Sequence, residues 1–316
     1  MTTIRTTTLG SSTSMLNYMK TGESRYNKLA EEAASGSKLT QPSDNPTAAK
    51  SVLNINTKLD QLSSYSNNMA TAQNELNVLD DTFTSITDSI QAANDLATQA
   101  ANGTYTQKDL DNLKTQIDQI MNNVADLGNT QFNGNYLFSG TSTSTPAYSI
   151  ATDALGNITG VTYNGTPSTD EYQRSVQISD GVNVGINTTG DQLLGSYSAG
   201  PPATGSGLLL TLGNLSTALA SGDKTTISSS LNSLDSDLDT VLANQTKFAS
   251  VSQRFAMTEN SNETMTTQLK GARSNLQDAD LAEVLTNLTA QQTALQATMS
   301  VTAQMMKGAS LLDYIR

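Results

Sequence analysis

Apolar residues recur at alternating spacings of three and four along five stretches of the chain, the spacing that lays one stripe down a helix and marks coiled-coil packing. The first stretch is thin: Met15, Met19, Gly22, Tyr26, Leu29 and Ala33, ending before Gly36. The second is dense and long, running Leu62, Tyr65, Met69, Ala72, Leu76, Leu79, Phe83, Ile86, Ile90, Ala93 and Ala97. Asn45 before Pro46 supplies a helix start for it, and Asn102-Gly103 a stop. A helix between those signals, rising about 1.5 Å per residue, forms a rod of about 80 Å, too long for a compact globular domain. The third stripe is Leu110, Leu113, Ile117, Ile120, Val124 and Leu127, opened by a capping box of Thr106 and Asp109 and closed at Gly128. The short link from Gly103 to Tyr105 predicts that it folds back antiparallel on the second.

From about Thr130 to Gly207 the helical period vanishes and Gly, Ser, Thr and Asn dominate. Short alternating runs predict strands at Ile158–Tyr163, Tyr172–Ile178 and Val182–Ile186, with turns at Asn164-Gly165 and Asp180-Gly181. Pro201-Pro202 and the following glycines read as an exit linker. Beyond it Asp223 is placed to cap a fourth helix, striped by Ile227, Leu231, Leu234, Leu238, Val241, Gln245 and Phe248 and continued by Val251, Phe255, Met265, Leu269 and Leu276. The last stripe is Leu281, Leu285, Leu288, Gln292, Leu295, Met299, Thr302 and Met306; Gln291 falls off it. The predicted fold is mainly α with a β-rich insertion: long antiparallel helical rods plus a small β domain. Its segments are an N-terminal assembly helix (1–44), the first half of the rod (45–129), the β-rich inserted domain (130–207), the second half of the rod (208–271) and a C-terminal assembly helix (272–316).

Composition narrows the function. With 29 acidic against 17 basic residues the formal charge is −12, and no Lys/Arg stripe interrupts it, which argues against nucleic acid as a partner. The 316 residues hold no cysteine, histidine or tryptophan. Disulfides, thiolate nucleophiles, the usual general base and the usual metal ligand are thereby missing, the strongest sequence argument against an enzyme. Asp235, Asp237 and Asp239 have the spacing that opens a calcium loop, but Thr240 stands at its glycine position and the run lies inside a helical stripe, where alternate residues diverge. No cofactor is expected. Neither a membrane-spanning apolar run nor the apolar core of a cleaved signal peptide is present, leaving the cytoplasm or an export route that reads no cleaved signal.

The terminal stripes are diluted with Thr, Gln, Ala and Ser. Each buried Leu or Met contributes about 1.5–3 kcal/mol, whereas ordering each residue costs about 1–2 kcal/mol, so such helices form when something covers the stripe. Either the two termini pair with each other or neighbouring subunits cover them. The residues expected to form the assembly interface are Met15, Met19, Tyr26, Leu29, Leu281, Leu285, Leu288, Leu295, Met299, Met306, Leu311 and Leu312.

Three segments carry a family resemblance. Gly36-Ser-Lys-Leu-Thr-Gln-Pro-Ser-Asp-Asn-Pro-Thr-Ala-Ala49 resembles the loop before the long rod helix of flagellin-like hook-associated proteins. Asn133-Gly-Asn-Tyr-Leu-Phe-Ser-Gly-Thr141 is similar to the segment leading into their variable domain. The stretch from Asn287 through Ser310-Leu-Leu-Asp-Tyr-Ile315 resembles their C-terminal helix. The resemblance spans roughly residues 1–141 and 223–316. It implies a structural part of the bacterial flagellum, outside the cell, joining hook-associated protein 1 to the flagellin filament by terminal coiled-coil assembly. The implied partners are hook-associated protein 1, flagellin, other copies of the chain and a cytoplasmic export chaperone holding the C-terminal helix. Export would proceed unfolded through the flagellar type III channel. Flagellin itself, the filament subunit, is the alternative.

Overall fold

The computed structural model describes residues 3–103, 105–154, 156–167 and 174–314, with side chains given between Thr13 and Gln304 of those ranges. In chain order the elements are α1 (Thr3–Ser35), α2 (Pro46–Asn102), α3 (Gln107–Gly128), β1 (Gln131–Phe132), β2 (Asn135–Tyr136), β3 (Tyr148–Thr152), β4 (Ile158–Tyr163), β5 (Ser175–Ser179), β6 (Val182–Gly185), α4 (Gly190–Leu193), β7 (Ser196–Ser198), β8 (Thr204–Ser206), α5 (Gly207–Ser221), α6 (Lys224–Gln277) and α7 (Leu281–Tyr314). The mainly helical class with small antiparallel sheets is thus the one the sequence predicts. Two compact units divide the chain: residues 1–61 with 264–316, here unit one, and residues 62–263, unit two. The boundaries fall within α2 and α6, away from the segment limits at 44 and 271.

The predicted helix starts form as side-chain caps. Asn45 Oδ1 accepts from the Ala48 N–H at 3.0 Å. Thr106 and Asp109 complete a reciprocal capping box, and Asp223 accepts from the N–H groups of Thr225 and Thr226. Each satisfies donors that the first helical turn leaves unpaired.

Unit two closes around one apolar core, built mostly by the helices and joined by Tyr148, Ile158, Val161, Ile178, Val184 and Tyr197 of the inserted strands. Phe83 of α2 stacks on Phe248 of α6, ring centroids 5.9 Å apart, and meets Phe138 edge-on at 6.3 Å. The α2–α3 pair is antiparallel, with Asn123 donating to Ser89 across it. The main sheet is antiparallel in the order β3-β4-β7-β8, while β1-β2 and β5-β6 are separate hairpins.

Three expectations need correction. The Gly- and Pro-rich exit linker is instead strand β8 followed at once by helix α5, which packs on α3, β7 and β8. Leu208, Leu209, Leu212, Leu215 and Leu219 of α5 are all fully buried at the centre of the core. Gly213 permits the approach to β7, because a Cβ there would lie 2.1 Å from the Tyr197 ring. The strand predicted from Tyr172 begins at Ser175 and ends at Ser179; Tyr172 and Gln173 lie outside the described residues. The strand expected over Val182–Ile186 stops at Gly185.

Candidate assembly surface

Unit one is built by α1, α7 and the adjoining ends of α2 and α6. The segment Gly36–Asn45 ties these ends together. The Lys38 N–H donates to the Gln277 carbonyl at 2.8 Å, and the Ala279 N–H donates back to Gly36 at 2.9 Å. Ser37 pairs with Asp278 as an isolated bridge, while the Lys38 ammonium donates to the Asn275 carbonyl at 2.6 Å. Asp44 closes the loop on itself and on α1: it accepts from Lys28 at 2.8 Å, from Thr40 at 3.1 Å and from the Gln41 N–H at 3.0 Å. The Lys28 hydrogen bond, followed by the Gln41 N–H, lowers the Asp44 carboxyl to about 2. Asp280 then caps α7 by accepting from Ala282 and Glu283.

So anchored, α7 runs back antiparallel along α1. The Gln291 amide donates to the Gly22 carbonyl at 3.2 Å, and a Cβ on Gly22 would lie 3.2 Å from the Leu295 methyl, so the two helices approach closely where α1 has no side chain. On α1 the half-buried positions are Met15, Met19, Gly22, Tyr26, Leu29 and Ala33, the stripe read from the sequence, together with Ala30 and Glu32. On α7 the inward stripe is different. It runs Val284, Leu288, Gln291, Leu295, Thr298 and Thr302, and Val284 at 7% exposure is its most buried member.

The single stripe expected on α7 therefore separates into two. Leu288 and Leu295 face α1. Leu281, Leu285, Gln292 and Met299 lie one position round the helix and are exposed, Leu285 to 53%. The leucines at 281, 285, 288 and 295 all fall within about 80° around the helix axis, which is why spacing alone fused them. Gln291, expected off the stripe, lies in the seam. Met306, Leu311 and Leu312 belong to α7, but their side chains lie outside the described ones.

Other exposed apolar side chains on these helices, which the sequence reading passed over, are Val301 on a different side of α7 and Leu16 and Tyr18 on two sides of α1, Tyr18 being 71% exposed. Among the described residues of unit one only Ala48 and Val284 are buried apolar side chains. Unit one thus buries little of its own apolar surface and displays much of it, which makes this helix pair the candidate association surface.

None of the candidate chemistry gathers into a second site of this kind. Asp235 accepts from Asn94 at 2.9 Å, Asp239 is exposed and Asp237 turns toward α5. Among the described residues no group of three or more acidic side chains is placed to hold a metal ion, and no helix is long and apolar enough to cross a membrane.

Comparison with known proteins gives these features a context. Residues 7–143 match the bacterial flagellin N-terminal helical region, and residues 231–315 match the bacterial flagellin C-terminal helical region. Flagellar hook-associated protein 3 of Salmonella typhimurium is 26% identical over 178 residues, covering 56% of this chain and 52% of that protein. The protein of the same name from Escherichia coli K12 is 28% identical over 128 residues, 40% of each. The chain spans about half the length of the curated relatives it matches. A putative flagellar hook-associated protein from Vibrio parahaemolyticus shares the fold, with a TM-score of 0.62 at 20% identity over 74% of this chain and 100% of that one. The two family regions together take in more than two thirds of the sequence, and they are the terminal helices and rods described above: the chain belongs to the flagellin family.

Proposed function

We propose that this chain is a structural subunit of the bacterial flagellum, set at the junction between hook and filament, where its terminal helices pack against neighbouring subunits. One observation carries the reading: unit one leaves Leu281, Leu285, Met299 and Val301 of α7, with Leu16 and Tyr18 of α1, open along a helix pair that buries almost no apolar side chain of its own. The similarity to proteins named hook-associated protein 3 supports the junction. Its neighbours there are hook-associated protein 1 on one side, flagellin on the other and copies of the chain around the ring. The role is architectural, with no reaction catalysed. Before assembly the same α7 flank is what an export chaperone covers, and the chain travels unfolded through the flagellar channel without a cleaved signal.

Labelled-antibody electron microscopy of flagella tests the placement. A single mark near the hook is expected. Labelling along the whole filament, or long filaments grown from the purified chain alone, would make the chain a flagellin and overturn the junction.

A further inference from the structure

The described methionine side chains fall into three kinds. Met69 and Met121 are buried, at 3% and 1% exposure. Met15 and Met19 are half-covered on the α1 face that meets α7. Met257, Met265 and Met299 are exposed, to 64%, 44% and 48%. A diffusible oxidant reaches exposed thioethers first, and oxidation turns a flexible apolar side chain into a polar one. Met257 and Met265 stand on α6, where the change adds polarity to positions already open to water. Met299 is the exposed methionine on the open flank of α7, and its surroundings make the same change consequential. It follows Leu281 by 18 residues, about five helical turns, so the two share one line along the helix, with Leu285 and Gln292 close beside it. No Asp, Glu, Lys or Arg occurs from Val284 to Met306, so this stretch of α7 holds no cation to pair with a sulfoxide oxygen. Covering the flank with an apolar partner would strip that oxygen of water and leave it unpaired.

We propose that Met299 is a sulfoxidation site, and that its oxidation by a peroxide closes the α7 flank to neighbouring subunits. The thioether sulfur attacks one peroxide oxygen. An S–O bond forms, the O–O bond breaks, and the hydroxide released takes the proton from the new S–OH group and leaves as water. Sulfur is oxidised by two electrons and the peroxide is reduced by two. The leucines on the same flank are inert to this reagent, which makes Met299 its point of attack there. The inference rests on the assembly role proposed for the flank, and the test below keeps the two apart.

Flagellated cells whose only copy of the chain is native, Met299→Leu or Met299→Gln are pulsed with hydrogen peroxide while filaments grow. The chain is then recovered from flagella and from the medium, and mass spectrometry with fragment ions locates the sulfoxide. Sulfoxide at Met299 should be at least about tenfold scarcer in incorporated chain than in shed chain, the penalty expected for burying an unpaired polar group, whereas Met257 carries similar fractions in both. Met299→Leu keeps an apolar side chain of similar size and should incorporate under peroxide as well as it does without. Met299→Gln, polar and of similar length, should incorporate at least about tenfold less than the native chain with no peroxide present. Equal sulfoxide fractions at Met299 in the two pools, peroxide sensitivity retained by Met299→Leu, or normal incorporation of Met299→Gln overturns the site. Leu285→Asp, run alongside, separates the failures. If it is excluded from flagella, the flank reading stands and only the oxidation site falls; if it incorporates normally, the flank reading falls too.

Discussion

Units one and two are made of the same kind of helix, and two of those helices pass through both, yet they are finished differently. Unit two holds 20 acidic and six basic residues, a formal charge of −14, around a closed core in which Leu79, Phe83, Ile86 and Leu212 are wholly buried. Unit one carries nine acidic and 11 basic residues, a formal charge of +2, and its apolar side chains stay half-covered. One unit has satisfied its hydrophobic surface and wears charge that keeps other copies away. Its counterpart has kept the surface and shed the charge. On the proposed function, stability resides in the first and association in the second, so a substitution should move one property or the other.

The largest stability effect belongs to unit two. Phe83→Ala removes a fully buried ring that touches both Phe138 and Phe248. It should cost about 3–5 kcal/mol in denaturant unfolding. Leu285→Ala, at a position 53% exposed, should leave the same transition within about 0.5 kcal/mol of the native chain. Equal losses at the two positions would erase the distinction between the units.

Next is the attachment of the β5–β6 hairpin to α2. Arg174 places two nitrogens on the two oxygens of Glu75 at 2.8 and 2.9 Å, and Glu75 is 4% exposed. Arg174→Met strands that carboxylate and should cost about 3 kcal/mol, whereas the double variant with Glu75→Met should recover most of it. A double variant as unstable as the single one would mean the pair acts through something other than its charge.

The sequence shows these differences unevenly. The dense stripe from Leu62 to Ala97 and the caps at Asn45, Thr106 and Asp223 announce their helices because period and capping chemistry are both local. Helix α5 is hidden although five of its six leucines are fully buried: it follows Pro201-Pro202 and Gly205, and being apolar nearly all round it shows no stripe to read. Strands β1, β2, β7 and β8 have two or three residues each, too few to show an alternation, and β7 is placed by pairing with β4 almost forty residues earlier. In unit one, spacing marks α1 positions that are half-buried. It could not tell the α7 face covered by α1 from its neighbour, because only the position of α1, fixed through Gly22 and Gln291, breaks that tie.

Three aspartate substitutions on α7 sharpen the comparison within unit one. Leu288→Asp places a charge in the α1–α7 seam and should release both helices to fast hydrogen exchange while abolishing incorporation into flagella. Leu285→Asp lies on the open flank: exchange should stay native, yet incorporation should fail. Ala290→Asp faces neither surface and should change neither measurement, whereas its neighbour Gln291 sits in the seam. If Leu285→Asp assembles normally, the exposed flank is not the association surface.

The smallest effect is electrostatic and local to unit one. The Asp44 carboxyl lies at about 2 in the folded loop against 3.8 ordinarily, chiefly through its hydrogen bond from Lys28. A carboxyl lowered by folding contributes stability at pH values above its ordinary one, and that contribution drains away as pH falls from about 4 toward 2. Lys28 is raised by the same contact and keeps its proton throughout this range, so it adds no slope there. Amide exchange of residues 36–44 should therefore accelerate across pH 4 to 2 by more than the intrinsic rates require. Asp44→Asn should exchange faster at pH 6 and lose that acid dependence, the two proteins converging near pH 2. Asp109 and Asp223, also lowered by their caps, belong to unit two and cannot mimic a change confined to this loop. Parallel curves for the two proteins from pH 6 to 2 would show that the Lys28–Asp44 contact does not hold α1 to the start of α2.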